Sequence, residues 1–240
     1  MNAGLYPDML EWVYRESKGI SHSDLKAWCG QGPRGTSRKL YIGKAVHTML
    51  LEPELAKDQF VTMEDEVDLR SNEGAALARE MAEEHPGKIV LKPSERSLIK
   101  GCVTAVQQNS DMTRILRAKG ERELCMFGEL EPGLLSKGMA DLVLENSMWD
   151  VKTTYCGSMD DFEQSIYKFG YDSQAAYYSD LYASLTGKSL HFGWLCISTS
   201  TLNTWIYKAD EHHLLPGRRW YKTVLPLYAK GNFLPKEVAG

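Results

Sequence analysis

The 240-residue sequence has no apolar run approaching the roughly 20 residues that cross a bilayer. Its opening, MNAGLYPDMLEW, lacks a basic stretch followed by an apolar one, so a cytoplasmic protein with no membrane partner is expected. Its five cysteines, Cys29, Cys102, Cys125, Cys156 and Cys196, are odd in number and far apart, with no CxxC pair and no Cys/His cluster. Thiols buried in a reducing compartment fit that spacing better than a disulfide frame, a zinc site or an iron–sulfur cluster. Positive charge is also short. A net charge of −4 provides no broad basic field for coating DNA, so any nucleic-acid contact must be local, set in a groove and helped by metal. What is present is a globular composition: at 43 % apolar, the chain can bury a full core.

The most informative interval runs from Asp141 to Asp150, followed at once by Val151 and Lys152. Val143 and Leu144 before Glu145-Asn146-Ser147, and Trp149 and Val151 after it, predict two strands joined by a tight polar turn. With Glu145 and Asn146 in the turn, Leu144 pairs with Ser147 and Asp141 falls opposite Asp150. The two-residue strand period then places Lys152 on the face of Asp150. Carboxylates opposed across a ladder, with Cβ atoms roughly 5 Å apart, repel unless something positive lies between them. A divalent cation is the simplest remedy, and two hard oxygen donors suit Mg²⁺, with Mn²⁺ as a substitute. Such a centre can activate water towards a phosphodiester, with Lys152 holding the nucleophile or the developing charge. The bland alternative is a solvated polar face with an ordinary surface lysine. On the metal reading, removing either aspartate abolishes cleavage and leaves the fold intact.

Elsewhere, Ser21 or Ser23 is a candidate N-cap for a helix carrying Leu25 and Trp28, closed by a Gly/Pro/Arg loop from Gly30 to Ser37. Arg38–Leu51 reads as a helix with Leu40, Val46, Met49 and Leu50 apolar and His47 inside it, and Pro53 marks its end. Glu64 to Gly74 is acidic and aperiodic, an exposed loop before a helix from Ala75 to Glu84. A helix follows Ser94 to about Asn109, continued briefly by Met112–Arg117. The period then changes to two. Strands are expected at Glu123–Phe127, Gly138–Leu144, Ser147–Thr154, His191–Ser198 and Thr204–Tyr207, with a crossover helix from Asp172 or Ser173 to Leu185, ended by Gly187. The expected architecture is α/β (α+β): a mixed central sheet flanked by helices, with a mainly helical part at 1–118 and a catalytic sheet-and-helix core at 119–240.

With Asp141, Asp150 and Lys152 on a hairpin, an upstream helix histidine and a downstream amphipathic helix, the chain resembles a PD-(D/E)xK nuclease with a restriction-endonuclease-like core. Four ordered strings narrow the resemblance: Gly19-Ile-Ser-x-Ser23, Gly43-Lys-Ala-Val-His-Thr-Met-Leu-Leu-Glu-Pro53, Trp149-Asp-Val-Lys-Thr-Thr154 and Gln174-Ala-Ala-Tyr-Tyr-Ser-Asp180. They are similar in order and spacing to the nuclease domain of RecE (exonuclease VIII) and its phage relatives, from about residue 17 to residue 228.

Carried over position by position, the resemblance implies that Asp141 and Asp150 bind metal, that Val151 lends it a carbonyl and that Lys152 is the catalytic lysine. It makes His47 the helix histidine, Gln174 and Tyr178 a Gln-x-x-x-Tyr pair on one helical face, and Glu123 a further acid near the centre. Without it, His47 reads as a core histidine and Tyr178 as a packing aromatic. Ala140 stands where the family often has proline, and Asp150 where the pattern also allows Glu; neither change removes a ligand. The family resects linear double-stranded DNA from the 5′ end as a ring-shaped homo-oligomer and passes the exposed strand to a single-strand annealing protein. Those are the partners the resemblance implies here. The N-terminus of the helix begun by Ser21 and Ser23 is a candidate receptor for a 5′-phosphate, with Arg34 or Arg38 as counter-charge and Lys137 or Lys168 as alternatives beside the hairpin. Competing readings are an iron–sulfur nuclease, disfavoured by the cysteine spacing, a restriction-type endonuclease and a catalytically silent DNA-binding protein.

Overall fold

The computed structural model describes residues 1–32 and 37–231. The N-terminal part, expected to be mainly helical, also supplies strands. β1 (Gly4–Tyr6) and β2 (Ile20–Ser21) join the main sheet, while β3 (Phe60–Thr62) and β4 (Ile89–Leu91) pair in parallel as a small sheet of their own. Runs this short carry no readable period of two. Among them lie α1 (Glu11–Glu16), α2 (His22–Trp28), α3 (Arg38–Leu51), α4 (Ala56–Gln59), α5 (Asn72–Glu84), α6 (Pro93–Gln108) and α7 (Ser110–Arg117). α3 keeps its expected ends, although Leu40 and Met49 are exposed and its buried face is Ala45, Val46, Thr48 and Leu51.

The second part contains β5 (Glu121–Glu131), β6 (Leu134–Val143), β7 (Ser147–Thr154), α8 (Met159–Lys168), α9 (Tyr171–Thr186), β8 (His191–Ser198), β9 (Thr204–Lys208) and α10 (Glu211–Ala229). β5 and β6 run past their expected ends and meet in a hairpin at Gly133, whose φ of 77° suits glycine. Gly128, Glu129 and Glu131 hide that extension in the sequence. Two helices, α8 and α10, were not expected. α10 contains Pro216 and Pro226, which read as breakers. Its buried stripe of His213, Leu214, Gly217, Tyr221, Val224 and Leu225 recurs at helical spacing, and that packing outweighs the lost backbone bonds. A Cβ at Gly217 would overlap the backbone of Asp172, so α10 presses directly on the first turn of α9.

The sheet runs β1-β5-β6-β7-β8-β9, with β2 added to β6 as a seventh strand. β7 and β8 are parallel, joined by a crossover through α8 and α9, and the other pairs along that path are antiparallel. Each face has its own apolar core. Leu124, Met126, Met148, Phe162, Ile166, Tyr177, Trp194 and Tyr221 fill the side under α8, α9 and α10; Val46, Leu51, Ile99, Leu142, Trp149, Val151, Leu195 and Ile197 fill the side under α3 and α6. The expected mixed sheet flanked by helices is therefore observed. Four of the five thiols are buried and all are free. Among the described residues no helix is long and apolar enough to cross a membrane.

Candidate metal centre and active site

β6 and β7 keep the expected register, with Leu142 opposite Trp149, Val143 opposite Met148, and Leu144 N–H donating to the Ser147 carbonyl at 2.8 Å. One step further the ladder opens. The earlier part of β6 is taken by β2 at Ser136 and Lys137, while β7 from Ser147 to Thr154 pairs with β8. In the gap, the Val151 N–H donates to Asp141 Oδ2 at 2.7 Å instead of to a strand carbonyl.

This opening reshapes the expected shared patch without dispersing it, since the charges of Asp141, Asp150 and Lys152 still act on one another. Asp150 and Lys152 lie on the α9 side of the sheet, where Lys152 meets Gln174, whereas Asp141 turns to His47 on α3. The alternation of β6 breaks at the same place, since Ala140 packs in the α9-side core and Leu142 in the α3-side core. Facing Asp141 on β5, Glu123 sits in the left-handed region at φ 49°, unusual for a residue with a side chain. Strain of this kind persists only where surrounding structure imposes it, and it collects at functional sites.

The break assembles a compact donor set. His47 Nε2 is 2.8 Å from Asp141 Oδ2, and His47 Nδ1 is 3.2 Å from Glu123 Oε1. One ligand atom from each of His47, Glu123 and Asp141 falls within 4.8 Å of the others. Burial favours a neutral imidazole, yet the Asp141 and Glu123 carboxylates overcome it and push His47 up to about 9. Burial and the Asp141 charge raise Glu123 to about 8. Asp141, although buried, is held below its ordinary value by His47 and Lys152. Glu123 thus joins the cluster directly, while Asp150, paired with Lys152, lies close enough for its charge to act on both His47 and Asp141.

Two observations test whether a cation fits. Glu123 Oε1 and Asp150 Oδ2 are buried and make no well-aligned hydrogen bond, each having a single positive neighbour, His47 Nδ1 at 3.2 Å and Lys152 Nζ at 2.6 Å, which leaves lone pairs that a cation can take. Carboxylate oxygens with one imidazole suit Mg²⁺ or Mn²⁺. The residues present fit such an ion.

Lys152 is held from three sides. Its Nζ lies 2.6 Å from Asp150 Oδ2, donates to Gln174 Oε1 at 3.0 Å and stands 4.8 Å from the centre of the Tyr171 ring. Burial would depress its pKa, but the Asp150 and Asp141 charges raise it, so the ammonium stays charged. Asp150, 2 % exposed, is raised by burial to about 6 against the pull of Lys152. Tyr178 is partly buried against the α9-side core, and burial raises its phenol to about 12. Tyr171 is the residue that sequence reasoning missed. It precedes Gln174 by three positions on the same helical face, which was the available signal.

The expected DNA-end residues do not converge. Ser21 is the N-cap of α2, but its N–H and hydroxyl both donate to the Asp24 carboxylate, at 2.8 and 2.7 Å. An anion therefore already occupies the site proposed for a phosphate, and Ser23 is an exposed residue of the first turn. Arg38 pairs with the buried Glu95 and donates to the Val90 carbonyl, tying α3 to α6 and β4. Lys137 is buried and donates to the carbonyls of Tyr14, Arg15 and Ser17, closing the C-terminal end of α1. Lys168 is exposed in the last turn of α8, beside the Phe169 ring. Arg34 lies outside the described residues.

A mixed sheet between two helical layers, opened at one strand junction around acids and a lysine, places the chain in a structural class shared by solved proteins. A candidate exonuclease from Eubacterium rectale shares the fold, at TM-score 0.65 and 16 % identity over 95 % of this chain and 89 % of that one. A phage-related exonuclease from Haemophilus somnus 129PT aligns at TM-score 0.31 and 12 % identity over 90 % and 99 %, a likeness too weak to carry any argument. No curated protein matches the chain. The family follows from the sequence itself: residues 23–230 match the PDDEXK-like domain of unknown function (DUF3799), and the chain belongs to that family.

Proposed function

We propose that the protein is a metal-dependent exodeoxyribonuclease that degrades linear double-stranded DNA from the 5′ end and leaves 3′ single strands for annealing. The observation that carries the nuclease reading is the His47–Glu123–Asp141 cluster, with the Asp150 carboxylate beside it paired to a fixed ammonium at Lys152. Exonuclease over endonuclease is supported by the four RecE-like strings and by the name of the Eubacterium rectale protein that shares the fold. Mg²⁺ is the proposed ion, with Mn²⁺ able to replace it. A homo-oligomeric ring in the cytoplasm, supplying a single-strand annealing protein, completes the proposal.

A bound divalent ion would supply Lewis acidity at the scissile phosphate. The chain does the rest. Glu123, Asp141 and Asp150 provide oxygens, and His47 braces the first two. Lys152, positioned by Gln174 and Tyr171, places a permanent positive charge where negative charge grows on the phosphate. Asp150 neutralises that lysine in the resting protein and so limits the cost of burying it.

The test is digestion of linear duplexes with 5′-phosphate or 5′-hydroxyl ends, alongside a covalently closed circle, in Mg²⁺, Mn²⁺ or EDTA. Loss of the linear substrates with metal only, and survival of the circle, is expected. A cut circle would mean an endonuclease, and inert linear DNA with both metals would end the nuclease reading.

A further inference from the structure

α3 and β7 run side by side in a matched register. Stepping back by four along α3 from His47 gives Gly43 and Lys39, all on one helical face. Stepping forward by two along β7 from Val151 gives Thr153 on the same strand face, and two further gives Tyr155, the first residue beyond the strand. The two series meet pair by pair. His47 shares the Asp141 carboxylate with the Val151 N–H, a Cβ on Gly43 would stand 2.9 Å from Thr153 Oγ1, and Lys39 Nζ lies 5.5 Å from the centre of the Tyr155 ring. The steps agree because four helical residues advance about 6 Å and two strand residues about 6.6 Å. The Lys39–Tyr155 pair therefore stands about 13 Å along the strand from the donor cluster, on the same seam.

Tyr155 is 75 % exposed, more than any other exposed large hydrophobic residue in the described structure. Its backbone is nevertheless pinned. The Tyr155 carbonyl accepts from Ser200 Oγ at 3.1 Å, and the Thr154 carbonyl accepts from Thr199 N–H at 2.7 Å and from Thr199 Oγ1 at 3.1 Å. A rigid main chain thus holds out an aromatic ring with the Lys39 ammonium over one face, the other face free to take a base, and a line of fixed groups leading to the acids. An aromatic face accepts any base, and a neighbouring lysine pairs with the adjoining phosphate, which is how single strands are held without sequence choice.

We propose that Tyr155 and Lys39 form a positioning subsite for an unpaired DNA nucleotide, stacking its base and neutralising its phosphate on the strand that leads to the metal centre. The subsite rests on the nuclease reading, since it feeds that centre. It makes the frayed or displaced single strand, not the intact duplex, the species held at this point.

Wild-type protein, Tyr155→Ala, Tyr155→Phe and Lys39→Ala are compared on single-stranded oligonucleotides carrying 2-aminopurine at successive positions, in EDTA so that nothing is cut. Wild type and Tyr155→Phe should quench the probe at one position, whereas Tyr155→Ala loses the quench and binds about 10-fold more weakly. With Mg²⁺ and linear duplex, Tyr155→Ala and Lys39→Ala should raise KM and leave kcat near wild type, with Tyr155→Phe unchanged. Wild type that cuts DNA while Tyr155→Ala binds, quenches and cuts identically overturns the subsite alone. Wild type that neither binds nor cuts any DNA overturns the subsite together with the nuclease reading.

Discussion

His47 bridges two carboxylates of opposite tendency, and that sets what each substitution does. Asp141 accepts from both His47 and the Val151 N–H, so Asp141→Ala strands a half-buried imidazolium and an amide. Cleavage should vanish, and the metal-free protein should lose about 2 kcal/mol in chemical denaturation, because removing one partner of a half-buried pair leaves the other unsatisfied. The sequence-level expectation of an undisturbed fold is therefore revised for this residue. Glu123→Gln removes a carboxyl that must take up a proton to be buried at neutral pH, so it should raise the metal-free melting temperature while abolishing metal-dependent activity. A lower melting temperature for Glu123→Gln would contradict the placement of that side chain.

The same residues set a pH dependence. Glu123 moves from 4.5 to about 8 on folding and His47 from 6.5 to about 9, so across these intervals the folded chain holds protons that the unfolded chain has lost. Stability of the metal-free protein should then fall as pH rises from about 4.5 to about 9, because the native state binds more protons. Divalent ions compete with those protons, so their affinity should strengthen over the same range and binding at pH 7 should release protons. Calorimetry in buffers of different ionisation enthalpy counts them. Metal binding without proton release would place the ion elsewhere.

At the scale of elements, α3 packs on β7 while α9, seated on β5, β6 and β8, reaches Lys152 of β7 through Gln174, and the two helices hold the two halves of the site. Gly43→Ala would push against Thr153 Oγ1 and shift His47 relative to Asp141. The helix gains about 1 kcal/mol of propensity from the change, so the melting temperature should move little while activity falls on the order of 10-fold. Thr153→Ala in the same chain should restore activity; if the double variant stays as slow, the close approach is not the cause. On the other face, Lys152→Met should cost on the order of 10²–10³ in rate with DNA binding kept, and Gln174→Leu should cost less, since Asp150 still holds the ammonium.

For the whole molecule, an acidic chain with net charge −4 has little electrostatic grip, and a closed oligomer around DNA would replace grip with enclosure. Sedimentation should then give a mass at a multiple of the 27.1 kDa protomer, and processivity should survive salt that weakens single-site binding. A monomer with full processivity would retire the ring.

The sequence by itself determined the hairpin register, the bounds of α3, the crossover helix and the residue types of the site, because each is written in a local period, a cap or a turn of a few residues. Glycine after α9 and the polar turn at Glu145-Asn146 are examples, and so is the family match over residues 23–230. Only the tertiary structure decided that the ladder opens at Asp141, that Glu123 adopts a left-handed backbone and reaches His47, and that Asp150 faces α9. It also committed Ser21, Arg38 and Lys137 to structural bonds. Those outcomes depend on which partners other segments bring to a residue, as β2 does to β6 and α6 to Arg38, and a charged or polar side chain in a sequence does not name its partner.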